Sequence, residues 1–318
     1  KTAAKVSRRL MSKTAASLRH KIDSASDLKG VVRTMKVLAA SSISQYEEAV
    51  KSLSDYYYTV EVALGASLRA IGQHADSVVQ QMPSKTSNSN AIHAIVLGSD
   101  QGLVGQFNEN MAKFVLKTLS TFKHKARVWV VGEQVLTRLF AADINVVTSY
   151  AVPSDVNAIA SLVGELLLMC KMQDNQQAPV DVYVFYNQSY SYANESSERE
   201  DPSVYKPHCL RLLPLDKNWF NKHANMPWPT RLPPEILCST TLSLRSLISE
   251  YLFISLFRAC AESLANENAS RLAAMQRAEK NIDELLSALS QSFHGLRQSA
   301  IDEELNDVLA GYESLPHA

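Results

Sequence analysis

Three groups of residues have types and spacings that could carry chemistry. Gly98-Ser-Asp-Gln-Gly102-Leu-Val-Gly105 follows an apolar run and precedes a helical pattern. That is where backbone amides cradle phosphates. The spacing G-x-x-x-G-x-x-G matches neither the dinucleotide fingerprint nor the nucleotide loop that ends in Lys-Ser/Thr, so the run reads as a tight strand-to-helix turn. Asp302, Glu303 and Glu304 could act as acids or bases, but near the end of a helical pattern they read first as a solvated face. Ten Lys/Arg against two Asp up to Lys36 could bind nucleic acid or an anionic membrane, and read better as a partner for an acidic helix.

The other chemistries find no support. The eight histidines include no H-x-x-x-H pair, and there is no G-x-S-x-G. His93 sits inside an apolar run and reads as a core histidine with its hydrogen bonds satisfied. Cys170, Cys209, Cys238 and Cys260 are widely spaced with no C-x-x-C, which points to reduced, mostly buried thiols rather than a zinc knuckle. No metal, cofactor or catalytic residue is expected. Lys+Arg equals Asp+Glu at 32 each, which disfavours a nucleic-acid-binding protein. The apolar run Tyr251 to Phe257 is far short of the ~20 residues that span a bilayer, and no signal-peptide core follows the basic start. Residues 1–10 precede Met11 and are discounted as a possible presequence or vector-derived remnant.

The elements that position these residues are marked by proline. Ten of eleven prolines lie in 83–234, and none lies in 1–82 or 235–315. Proline inside a helix costs ~3 kcal/mol, so long helices exclude it. Both terminal stretches carry apolar residues at steps of three and four. The first runs Leu18, Ile22, Ala25, Leu28, Val32, Met35 and Ala39, and on through Tyr46 to Leu64. The second runs Ala261, Leu264, Leu272, Met275, Ala278, Ile282, Leu285, Leu289, Phe293 and Leu296. This is a narrow coiled-coil seam. Residues 1–82 carry net charge +5 and residues 235–315 net −6, so the two should pair as an antiparallel coiled coil. At 1.5 Å per residue, ~80 residues give ~120 Å, so the helices should project beyond the globular part.

The centre alternates strands and helices. Strands are expected at 91–98, 127–131, 144–150, 180–186 and 209–213, and helices at 108–123, 133–141 and 155–171, with Ser154 or Asp155 as N-cap. Residues 187–203 read as a polar loop and 225–234 as a proline-rich joint. The fold class is α/β: a small central Rossmann-like domain plus a long coiled coil formed by the termini. The division is 1–82 N-terminal helix, 83–234 central domain and 235–318 C-terminal helix.

Taken together, the two ends resemble the gamma subunit of F-type rotary ATP synthases. The matching runs are Leu18-Arg-His-Lys-Ile22 with Thr34-Met35-Lys36-Val37-Leu38-Ala39-Ala40, then Glu267-Asn-Ala-Ser-Arg271-Leu-Ala-Ala-Met275, Ala278 and Asn281. They continue in Arg297-Gln298-Ser-Ala-Ile301-Asp-Glu-Glu304-Leu305 and Gly311, with the central glycine run and Leu212-Leu-Pro-Leu215 between. The resemblance implies a non-catalytic central rotor shaft that couples ion-driven rotation of a membrane c-ring to ATP synthesis or hydrolysis in a hexamer of alpha and beta subunits. It implies a foot shared with an epsilon-type (mitochondrial delta-type) subunit. It also implies a peripheral position on the cytoplasmic face of a bacterial inner membrane or the matrix face of the mitochondrial one, with no membrane span and no nucleic acid.

By the same resemblance, the contacts to the catalytic ring fall on Arg33, Met35 and Lys36, facing an acidic loop, and on Arg271, Arg297, Gln298, Asp302 and Glu304. The chain departs from the family pattern at Leu28-Lys29-Gly30-Val31, at Ser41-Ser42, and at Asp302 where a Thr is common. The regulatory cysteine insertion of chloroplast versions is absent, so thiol control is not expected. Two other classes stay open. An enzyme on the α/β domain would show a ligand-dependent melting shift, and a scaffold or nucleic-acid adaptor would show steep salt-dependent DNA binding.

Overall fold

The computed structural model describes residues 2–71, 91–122, 126–172, 180–189, 205–215, 217–232, 234–235 and 239–313. The last part of the first helical stretch (72–82), most of the polar loop (190–203) and part of the proline-rich joint lie outside the described residues. In chain order the elements are α1 (Thr2–Ile71), β1 (Ala91–Leu97), α2 (Phe107–Leu119), β2 (Ala126–Val131), α3 (Glu133–Phe140), β3 (Val146–Tyr150) and α4 (Val156–Met172). They continue with β4 (Val180–Ser189), β5 (Tyr205–Leu213), α5 (Lys217–Ala224) and α6 (Thr240–Glu313). The fold is α/β, with a mostly parallel five-stranded sheet and two long terminal helices. The chain divides into two compact units, Ala39–Arg271 and Lys1–Leu38 with Leu272–Ala318.

In the unit Ala39–Arg271 the strand order is β3-β2-β1-β4-β5. The first three pairings are parallel, and β5 runs antiparallel to β4. This is the order of the first five strands of dinucleotide-binding sheets. Buried on both faces, the strands are near-continuous apolar runs such as AIHAIVL and ARVWVV. On one face Met111, Val115, Val135 and Leu139 of α2 and α3 pack on Ala94, Val96, Val128 and Val130. On the other, Ile95, Leu97, Val182 and Val184 meet α4 through Ile159, Val163 and Leu166. The same cluster includes α1 through Tyr46, Val60 and Leu64, and α6 through Leu244, Leu256 and Leu264. Every residue of α6 from Ala259 to Asn268 is buried. The Asp155 carboxylate accepts a hydrogen bond from the Ala158 amide, which makes it the N-cap of α4.

Several expectations shift. Strands β4 and β5 are longer than their apolar cores suggest, and α5 is an additional helix that buries Phe220 and His223. His93 is buried against Trp129, with ring centroids 4.6 Å apart, but its Nδ1 has no hydrogen-bond partner among the described residues. Burial lowers its pKa to about 4. Cys209 and Cys260 are free thiols pushed up by burial, Cys260 to about 12. The Cys170 and Cys238 side chains lie outside the described residues.

In the other unit α1 and α6 run antiparallel. Lys29 pairs with Asp283, while Arg33 and Lys36 pair with Glu279. Val32, Met275 and Ile282 are buried, with Met35, Ala274, Ala278 and Leu286 packed on them. Leu28 and Leu285 are about half exposed rather than in the seam. From Ile282 the seam advances by four residues to Leu286, because a 3.6-residue turn alternates steps of three and four and here takes the longer one.

Candidate functional site

In open sheets of this topology, ligands bind in the crevice beyond the carboxyl ends of the strands where the order reverses, here between β1 and β4. The glycine run after β1 opens into this crevice, and the chain itself occupies it. The Asp100 Oδ1 accepts the amide of Glu133, the first residue of α3, at 3.0 Å, and Oδ2 accepts the Val152 amide at 2.8 Å. A carboxylate of the loop thus stands at the N-terminus of α3 and ties the loop to the connections after β2 and β3. The Asn108 side chain takes the Ser99 amide and donates to Ser99 Oγ. Gly98 leaves no room for a side chain, since a Cβ would lie 2.3 Å from Val135 Cγ1. Gly132 adopts φ +108°, which favours glycine.

Helix α6 covers the same end of the sheet. Asn266 Nδ2 donates to the Asn187 carbonyl of β4 at 2.9 Å, and Ser270 Oγ to the Val104 carbonyl of the glycine run at 2.6 Å. Between them lies Glu267, which accepts from Arg271 at 2.8 Å while its second oxygen has no partner among the described residues. Burial raises the Glu267 carboxyl to about 7; Arg271 opposes this, and Asp100 nearby adds to it. These contacts engage Ser99, Asp100 and the Val104 carbonyl of the loop within the chain. Among the described residues no three His, Cys, Asp or Glu converge as metal ligands, and no helix is long and apolar enough to cross a membrane.

The residues expected to touch partners fall into three settings. Arg271 is nearly buried, its guanidinium on Glu267 and on Asn268 Oδ1 at 3.1 Å. Arg33 and Lys36 lie beside the partly buried Met35, each on one oxygen of Glu279, at 2.7 and 2.6 Å. These two cations pull the Glu279 carboxyl down to about 2. Arg297, Gln298, Asp302 and Glu304 are exposed along the last turns of α6, next to exposed Ile301, Leu305, Val308 and Leu309.

A family model described as ATP synthase matches residues 14–315. The chain belongs to the ATP synthase gamma-chain family. Among its relatives, the ATP synthase gamma chain of Pasteurella multocida is 26% identical over 304 residues, spanning 93% of this chain and 98% of its own. The rotor of the Euglena gracilis mitochondrial ATP synthase superposes with a TM-score of 0.59 at 16% identity, covering 91% of this chain and 99% of that one. The central stalk of the Tetrahymena thermophila mitochondrial enzyme gives 0.52 at 20%, covering 78% and 99%. Identities this low bear on the fold alone. For a gamma-family chain, the features that the sequence hid are partners rather than types. Glu279 and Asp283 look like any surface acids until the helix register sets them against Lys29, Arg33 and Lys36. Their one signal is the i,i+4 spacing on the acidic helix.

Proposed function

We propose that this chain is the rotor shaft of an F-type ATP synthase, turning ion-driven rotation into ATP synthesis or hydrolysis in a hexamer of alpha and beta subunits. The family match across 14–315 carries the reading. A torque-bearing shaft needs two paired helices, and α1 and α6 supply them. It also needs polar groups that grip and release. We assign that role to Arg33, Met35 and Lys36 toward an acidic loop of the catalytic subunit, and to Arg271, Arg297, Gln298, Asp302 and Glu304 on the opposing helix. Arginine suits the task because its planar fork bonds carboxylates bidentately. The nearly buried position of Arg271 fits a grip exerted through its carboxylate neighbour more than one exposed at rest.

In this reading 1–82 and 235–318 are the shaft helices and 83–234 the foot. The foot sits with an epsilon-type subunit on the c-ring, peripheral to the bacterial inner membrane or the mitochondrial inner membrane. The chain catalyses nothing itself, and α6 bonds to its glycine run and to the end of β4. The test is a mild-detergent pull-down through a tag on the central domain. Two partners of ~50–60 kDa in threefold excess, one carrying a nucleotide-binding lysine loop, are expected. A chain that elutes alone overturns the reading. Within a verified assembly, Arg297→Ala should lower ATPase turnover without unfolding the chain, and unchanged turnover would remove Arg297 from the contact.

A further inference from the structure

The basic stripe assigned above to an acidic partner is already engaged inside the chain. Each oxygen of Glu279 takes one cation, Arg33 Nε at 2.7 Å and Lys36 Nζ at 2.6 Å. One α6 turn away, Asp283 takes Lys29. Three cations against two carboxylates leave these five groups with one net positive charge. The cations are accessible, with side-chain exposures of 60% for Arg33 and 33% for Lys36, whereas Glu279 is only 16% exposed and lies beneath them. Apolar contacts around Val32, Met275 and Ile282 also join the two helices. The geometry is that of an internal competitor: a mostly covered carboxylate held by one exposed and one half-buried cation, which an incoming carboxylate must displace.

We propose that Glu279 is a positioning residue that weakens the shaft's grip on an acidic partner by holding Arg33 and Lys36, so that the contact can be broken in every rotational step. The inference rests on the rotor reading. Exposed ion pairs exchange partners readily because each is weak in water and screened by salt. A carboxylate built into the shaft therefore supplies the cations with a place to return to when the partner leaves. Without it, the two positive charges have only the partner to bind.

The experiment is ATP hydrolysis by the assembled head of alpha, beta and this chain, with Glu279 intact or changed to Gln, at about 20 mM and about 300 mM salt. At low salt the Glu279→Gln head should turn over roughly two to five times more slowly, the range of one or two exposed pairs, and the deficit should disappear at high salt. Glu279→Asp, which keeps the charge, should restore most of the rate. A deficit of equal size at both salts marks a structural role and overturns the inference, as does an unchanged rate at low salt or a Glu279→Gln chain that fails to assemble. A wild-type chain that assembles with no alpha or beta subunits overturns the rotor reading instead, so the two failures are distinguishable.

Discussion

Helix α6 takes part in two kinds of packing. Within Ala39–Arg271 it is enclosed: ten consecutive residues from Ala259 are buried, and Asn266 and Ser270 bond to the sheet's end. Beyond Leu272 its only apolar partners among the described residues are a few side chains of α1, and from residue 297 nearly every position is exposed. The first region is held by burial, whose stabilisation scales with area removed from water. The second is held by a narrow seam with ion pairs over it, each weak and screened. The difference teaches that one helix can be anchored at one stretch and free to exchange partners at another, with no change of secondary structure.

That contrast can be broken experimentally. Leu256→Ala, a fully buried position in the enclosed stretch, should cost roughly 2–5 kcal/mol in denaturant unfolding, whereas Met275→Ala in the seam should cost about half as much because two helices can close over the gap. Equal losses would mean that the two stretches are packed alike. Gly132→Ala should cost ~1–3 kcal/mol, because φ is +108° and a Cβ would meet backbone at 2.7 Å.

The Glu267 carboxyl sharpens the contrast through pH. Its pKa in the folded chain is about 7, above the ordinary carboxyl value, so the folded state holds a proton that the unfolded state has released. Stability should therefore fall as pH rises from about 5 through 7 and level off above, lowering the melting temperature by roughly 4 °C or more. Glu267→Gln should flatten the profile over that window. A profile unchanged by the substitution would place the charge elsewhere. Glu279 is the counter-case: its pKa is depressed, so its ion pairs persist down to strongly acidic pH. The smallest effect is expected at Gly30 in α1, where a Cβ would meet nothing within 4 Å. There Gly30→Ala should stabilise by up to ~1 kcal/mol, and destabilisation would reveal a contact that the helix pair conceals.

Much of this was legible in the chain. The spacing of Val32, Met35, Ala39 and Tyr46 marks the buried side of α1, and the four parallel strands stand out as apolar runs because the sheet is covered on both faces. What was not legible depends on register or on distance in sequence. Leu285 and Leu286 are both apolar, and only the partner helix decides which one turns inward. Helix α5 is short, and its burial of Phe220 and His223 comes from contacts with α1 and α6, not from its own pattern. His93 looks like a satisfied histidine until its ring proves to pack on Trp129, with Nδ1 unpartnered among the described residues. Asp100 is one acid in a glycine run, and nothing near it in sequence announces amides 33 and 52 residues away.

The position of Asp100 has a consequence for the rim of the sheet. One side chain ties the loop after β1 to the start of α3 and to the chain leaving β3. It acts as a rivet through three neighbouring connections, none of which can shift without breaking one of its hydrogen bonds.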